Sequence, residues 1–193
     1  RKPAMRRVCV RCAAVTHFGL PAFGVHVNGF VRRADGGLSL WVAKRSASRA
    51  IAPGKLDNMV AGGQPYGLSL RQNLLKEAAE EAGIEPALAG QARAVSFVSY
   101  ILENTSGLKR DQLFIYDLEV PADFVPRNTD GEVESFSLQP VEAVAASVRD
   151  GAAWKFNVNL VVIDFLIRHG LIDADGEPHY LELAQGLRGG AAG

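Results

Sequence analysis

The alternation of apolar and polar positions becomes regular at "FGVHVNGFVRR" (23–33). Here β-branched and aromatic residues recur at short spacing and predict a strand. "ADGG" (34–37) is a turn signal, and "LSLWVAKR" (38–45) alternates as the returning arm of a hairpin. Pro53 and Gly54 punctuate "SASRAIAPGKLDNM" (46–59), which reads as a loop. "VAGGQPYGL" (60–68) is a short apolar piece running into a glycine- and proline-rich turn. Ser69 stands in the N-cap position of "LRQNLLKEAAEEAG". Leu70, Leu74, Leu75 and Ala78 follow at helical spacing, and Gly83 supplies the stop. Two strands are predicted at 92–102 and 111–120, joined by "ENTSGLKR" (103–110). A polar loop (122–133), a short strand (134–140) and helices over 141–151 and 157–170 complete the pattern. A strand-rich first part followed by two late helices predicts an α+β chain, arranged as an α/β/α sandwich around a mixed β-sheet.

Composition narrows the function classes. A length of 193 residues suits one domain with a real core, and 48% hydrophobic with 22% charged residues is a globular balance. Lys plus Arg equals Asp plus Glu, 21 each, so no global field draws the chain to nucleic acid or to an anionic membrane. The longest apolar stretch, 159–167, is broken by Asp164 and falls short of the ~20 residues that span a bilayer. Residues 1–19 are basic, with five Lys or Arg in the first eleven and no acid before Asp35. They read as a flexible segment or the remnant of a longer region. The domain is expected over 20–185 and a flexible tail over 186–193. Cys9 and Cys12 form a lone CxxC without a second ligand pair, so they read as incidental or structural thiols of a reducing cytoplasm.

The candidate chemistry lies in "KEAAEEAGI" (76–84). Glu77, Glu80 and Glu81 share one helix face. Like charges at i and i+4 cost about 0.2–0.5 kcal/mol, and their place near the helix C-terminus costs roughly 0.3–1 kcal/mol more. Lys76 offsets part of this through its i, i+4 pairing with Glu80, and a divalent cation offsets more. The bland alternative is a solvated acidic face. The preceding "GGQPYGL" favours the metal, because it lets the backbone turn tightly and bring a carbonyl toward the same ion.

Gly62 followed at fixed spacing by these glutamates resembles the Nudix box, G-x5-E-x7-R-E-U-x-E-E-x-G-U, with U aliphatic. Gly62 fills the first glycine, Glu77, Glu80 and Glu81 the three later glutamates, and Gly83 and Ile84 the closing pair. Leu68 stands where the box has its first glutamate, and Lys76 replaces the arginine. Beyond the box, 24–31, 53–69, 128–136 and 155–170 resemble the Nudix proteins associated with thiamine pyrophosphokinase. The resemblance implies a Nudix fold, Mg2+ or Mn2+ held by Glu77, Glu80, Glu81 and the region of Gly62, and a small-molecule diphosphate substrate. The implied reaction converts thiamine diphosphate-like compounds, especially oxidised or damaged forms, to monophosphates. A homodimer is the mildly favoured assembly.

The general base stays open among Glu80 and Glu81 within the box and Glu132 and Glu134 in the loop after it. Lys55 and Lys155 are candidate phosphate contacts, though each also reads as a surface lysine. Asn157 and Asn159 read either as helix caps or as polar contacts to the substrate. Trp41, Tyr100 and Trp154 are candidates to stack on a heteroaromatic ring, against the commoner role of core aromatic. The alternatives are a Nudix pyrophosphohydrolase for ADP-ribose or another nucleoside diphosphate derivative, and a non-catalytic Nudix-fold protein that binds a ligand or regulates. Isomerisation of isopentenyl diphosphate is disfavoured, because its cysteine and histidine ligand pattern is not evident.

Overall fold

The computed structural model describes residues 14–189. The expectations for Cys9 and Cys12 lie outside these residues. The first hairpin forms as its alternation requires: β1 (Pro21–Arg32) returns through a turn into β2 (Leu38–Arg45). Asp35 Oδ1 accepts the Gly37 N–H at 2.8 Å inside that turn, and Gly36 adopts φ 85°.

The stretch 46–59 is not all loop. Two short strands follow the turn at Pro53–Gly54, β3 (Leu56–Asn58) and β4 (Val60–Gly63), separated by Met59. Strands of three and four residues are too short to show period-two alternation, so pattern reading misses them. They form a wedge. β3 pairs antiparallel with β2 and β4 antiparallel with β1, so the two arms of the hairpin diverge around them. The buried Met59 side chain makes this geometry depend on Gly29, where a Cβ would stand 2.2 Å from Met59 Sδ.

β5 (Arg93–Asn104) and β6 (Gly107–Glu119) are longer than expected. Most of the connection 103–110 is strand, because Leu108–Arg110 pair with Ile101–Glu103. β6 also pairs in parallel with β1, and β7 (Val133–Pro140) pairs antiparallel with β2. The mixed seven-stranded sheet therefore has β7 and β5 at its edges and the β3–β4 wedge near its centre.

Helix α1 (Leu70–Ala82) covers one face, packing Leu74, Ala78 and Ala82 on Val25, Val27, Trp41 and Leu118. After the short α2 (Pro86–Ala89), the helices α3 (Val141–Asp150) and α4 (Phe156–Arg168) cover the other face around Phe30, Leu40 and Phe165. This is the expected sandwich. A further helix, α5 (Tyr180–Gly186), follows. Beyond it Leu187 is buried against Val98 and Ile115, and its carbonyl accepts the Ser99 N–H at 3.0 Å. The packed chain thus runs past residue 185 into the segment expected to be a tail. Among the described residues no helix is long and apolar enough to cross a membrane.

A chain of buried polar groups crosses the α4 side of the sheet. Asn58 Oδ1 and His26 Nδ1 lie 2.7 Å apart, Asn58 Nδ2 donates to Asn28 Oδ1, and Asn28 Nδ2 donates to Asp117 Oδ1. An amide oxygen only accepts, so His26 is the Nδ1–H tautomer. Arg168 pairs with both Asp117 and Asp164 and closes the far end. Burial foremost, aided by the Lys155 charge, pushes the His26 pKa down to about 4. His26 is therefore neutral in the fold and must stay so.

The sign of the resulting pH dependence is fixed. A folded pKa below the unfolded value of 6.5 gives stability that is present above pH 6.5 and lost as the pH falls toward about 4. Wild type is expected to lose about 3 kcal/mol relative to His26→Asn between neutral pH and pH 4, measured by urea unfolding at both. Parallel losses in the two proteins would show that His26 does not carry the effect.

Candidate active site

Helix α1 is set by its ends. Ser69 Oγ accepts the Gln72 N–H at 3.1 Å while Gln72 Oε1 accepts the Ser69 N–H at 2.9 Å, a complete capping box. At the other end Gly83 takes φ 62°, and the N–H groups of Gly83 and Ile84 return to Ala79 and Ala78. Between these ends the 3.6-residue period turns Glu77 and Glu81 toward the sheet.

Glu81 is 7% exposed, and its Oε2 accepts the Ala61 N–H of β4 at 2.8 Å. Burial foremost, with repulsion from Asp57, Glu77 and Glu132, pushes its pKa up to about 8 against the Ala61 hydrogen bond. Glu77 lies across Gly62, where an added Cβ would stand 2.4 Å from its Cγ and Cδ. Gly62 is thus required by a side chain, the carboxylate that the box pairs with it. Burial first, then Glu80 and Glu132, raise the Glu77 pKa, opposed by Lys76.

Glu80 faces out. Its Oε2 receives Lys76 Nζ at 2.5 Å, and the same ammonium lies 3.2 Å from Glu77 Oε1. Residues 127–132 lock onto the end of α1: Arg127 N–H donates to Ala82, and Thr129 Oγ1 donates to the carbonyls of Ala79 and Glu80. This brings Glu132 to the rim, where it pairs with Arg49.

A small cavity results, lined by Ala43, Arg45, Asp57, Asn58, Ala61, Glu81, Glu132 and Val133. Of the candidates, Glu81 and Glu132 reach it, with Glu77 and Gly62 beside it. Others do not. Lys55 is exposed and donates to the Ala152 carbonyl. Glu134 pairs with Lys44 at 2.7 Å on the outer surface of β2 and β7. Asn157 is buried near Tyr100, away from the cavity lining. Trp41, Tyr100 and Trp154 are 4–8% exposed and serve as core, leaving none of them to stack on a ligand.

Two lining residues escape sequence reading, Arg45 and Asp57. Arg45 Nη1 donates to Asp57 Oδ2 at 2.7 Å, and Lys155 Nζ lies 3.0 Å from the same oxygen. Burial pushes the Asp57 pKa up, but the positive neighbours, led by Lys155, outweigh it and hold it below the usual range. The signal lay in "LDN" once β3 was known, since pairing with β2 then fixes Asp57 and Asn58 in the sheet beside Arg45. Lys155 therefore acts as partner to Asp57, not as a free cation.

Among the described residues no three acidic, histidine or cysteine side chains converge as a ready-made cation cage. Each carboxylate is held by a substitute: Lys76 on Glu77 and Glu80, Arg49 on Glu132, the Ala61 N–H on Glu81. The donor set still suits a hard divalent ion. It is all oxygen, the pKa values of Glu77 and Glu81 are raised by burial and by their acidic neighbours, and the present cationic partners are half-exposed side chains.

The comparisons with known proteins agree. The NUDIX domain family matches residues 22–159. The Arabidopsis thaliana proteins Nudix hydrolase 20, chloroplastic, and Nudix hydrolase 24, chloroplastic, are each 52% identical to this chain, over 91% and 92% of it. The chain spans about half of their length, 46% and 48%. Among solved structures, the NUDIX domain of Shewanella oneidensis NrtR complexed with ADP ribose superposes with a TM-score of 0.58 at 16% identity, over 78% of this chain and 88% of that one. A C. elegans Ap4A hydrolase complex does so at 0.55 and 14%, over 78% and 99%. These last two share the fold. The NUDIX match over most of the chain and the 52% identity to two Nudix hydrolases establish that this chain belongs to the NUDIX domain family.

Proposed function

We propose that the chain hydrolyses the phosphoric anhydride bond of a small-molecule diphosphate with Mg2+ or Mn2+. The observation that carries this reading is the Glu77–Gly62 contact beside Glu81, which sets a partly buried carboxylate next to the buried one that lines the cavity. Glu77 and Glu132 would hold the ion, joined by Glu80 once it leaves Lys76. Such an ion supplies Lewis acidity and neutralises phosphate charge.

Glu81 is the proton acceptor. Its Oε2 is fixed by Ala61, leaving Oε1 for a water in the cavity, whereas Glu132 is engaged by Arg49. Asn58 and Asp57 form the floor and exclude bulk water through their own buried partners. Thiamine diphosphate-like compounds, especially oxidised or damaged forms, are the proposed substrates and the monophosphates the products. What supports them is that 24–31, 53–69, 128–136 and 155–170, which carry the resemblance, contribute His26, Asp57, Asn58, Glu132 and Lys155 to one region.

Three tests follow. Glu81 carries a folded pKa raised from 4.5 to about 8, so its contribution to stability is present below pH 4.5 and lost as the pH rises toward 8. Glu81→Gln without divalent ion is therefore expected to gain at least about 2 kcal/mol at high pH, roughly 4–8 °C in melting temperature, while turnover falls by about 100-fold or more. A variant that melts lower and still turns over would remove Glu81 from this role. Gly62→Ala pushes Glu77 aside; turnover is expected to fall about 100-fold with little change in melting, and unchanged turnover would show that the placement of Glu77 is immaterial. Finally, the chain is expected to release monophosphate from oxothiamine diphosphate faster than from ADP-ribose, and only with Mg2+ or Mn2+. Preference for ADP-ribose would overturn the thiamine assignment and leave the diphosphate hydrolase standing.

A further inference from the structure

The segment Ser46–Lys55 connects the cavity-lining residues Arg45 and Asp57, and its two parts are anchored differently. The buried Arg45 guanidinium holds its far part, donating to the carbonyls of Ile51 and Ala52 at 2.9–3.2 Å while also donating to Asp57. Ala52 takes φ 49° there, a left-handed conformation that a non-glycine residue adopts only when held. The near part is held at Ser46, whose N–H donates to the Glu132 carbonyl, and by the Arg49–Glu132 ion pair.

The two arginines differ in kind. Arg45 is 11% exposed at its side chain and has its guanidinium nitrogens on protein oxygens. Arg49 is 35% exposed, and its guanidinium lies on the one cavity carboxylate that reaches the rim. Lys155 is committed to Asp57 and Lys55 to Ala152. Arg49 is therefore the guanidinium, paired with the lining carboxylate Glu132, whose partner is replaceable.

The geometry points to Arg49 as an exchanging phosphate clamp. It holds Glu132 in the resting chain and releases it to a divalent cation when the guanidinium turns to the diphosphate of the ligand. The inference rests on the metal-dependent diphosphate reading and deepens it. Charge dictates the direction. A cation entering beside Glu132 repels the guanidinium, and the phosphate oxygens that accompany the cation accept it in a bidentate fork. The fixed anchor at Arg45 lets the near part of the segment move without unseating Asp57.

The exchange sets two equilibria against each other, which an ordinary loop brace does not. In Arg49→Ala, Glu132 is free in advance, so Mn2+ titrated into the folded chain is expected to bind about threefold tighter, the scale of one half-exposed ion pair. Methylenediphosphonate, a non-hydrolysable diphosphate, is expected to bind the same variant at saturating Mn2+ about tenfold more weakly, and Arg49→Lys to recover part of that loss. Both constants are read by calorimetry, with a thermal melt confirming that each variant is folded. Opposite shifts support the clamp. If either constant is unmoved, or both move the same way, Arg49 is only a brace and the inference falls. Wild type that binds no Mn2+ would instead overturn the metal-dependent reading itself, and the clamp with it.

Discussion

The placement of the three α1 glutamates traces back to one contact between a carboxylate and a backbone amide. Ala61 lies in the four-residue β4, and its N–H donates to Glu81 Oε2 at 2.8 Å. That bond fixes the rotation of α1 about its axis. Once Glu81 is tied to the wedge strand, helical spacing lays Glu77 across Gly62 one turn earlier and turns Glu80 outward to Lys76. The bond does not make the arrangement comfortable. One neutral donor opposes burial and three nearby acids, and the Glu81 pKa still stands at about 8. The fold alone leaves the charged form of this carboxylate under-stabilised.

Asp57 shows the contrast within the same cavity. It is buried at least as deeply as Glu81, and burial pushes both pKa values upward. The outcome differs because Asp57 has Arg45 and Lys155 on one oxygen, whereas Glu81 is held by the neutral Ala61 N–H. Two acids of similar burial are thus driven apart in their proton affinities. The paired one is structural: it joins β2, β3 and the start of α4 through a charge cluster that breaking at either end would leave unbalanced. The unpaired one, Glu81, keeps the higher proton affinity.

Much of this was legible from residue patterns. The capping box at Ser69 and the stop at Gly83 are local signals, and they delimit α1 as read; Gly62 with Glu77, Glu80 and Glu81 is a spacing signal. What stayed hidden depends on long-range pairing. β3 and β4 are strands only because β2 and β1 diverge to accept them, so Asp57 and Asn58 look like loop residues until the wedge exists. Lys55, Lys155, Glu134 and Asn157 illustrate the converse. Their types suit phosphate or substrate contact, yet the partner each finds is set by the tertiary fold: Ala152, Asp57, Lys44 and the Tyr100 region. The conformation of the segment 46–55 was equally unreadable, since Arg45 fixes it through carbonyls that carry no side-chain signature.

The substitutions within the box have a coherent physical consequence. Leu68, in place of a glutamate, leaves the turn before α1 to be braced by neutral amides. Gln64 Nε2 donates to the Leu68 carbonyl at 2.7 Å, and the buried Asn73 Nδ2 donates to the Gly63 carbonyl at 3.0 Å. The brace therefore adds no charge to the site, and the negative charge of the loop–helix unit is concentrated in Glu77, Glu80 and Glu81. Lys76, in place of an arginine, is a single flexible ammonium shared between Glu77 and Glu80 and 43% exposed. A rigid guanidinium fork would grip a carboxylate through two parallel bonds; an exposed ammonium gives it up for roughly 0–1 kcal/mol. The two replacements act in the same direction. They keep the scaffold of the box rigid through groups that do not titrate, and they leave its carboxylates held loosely enough to change partners.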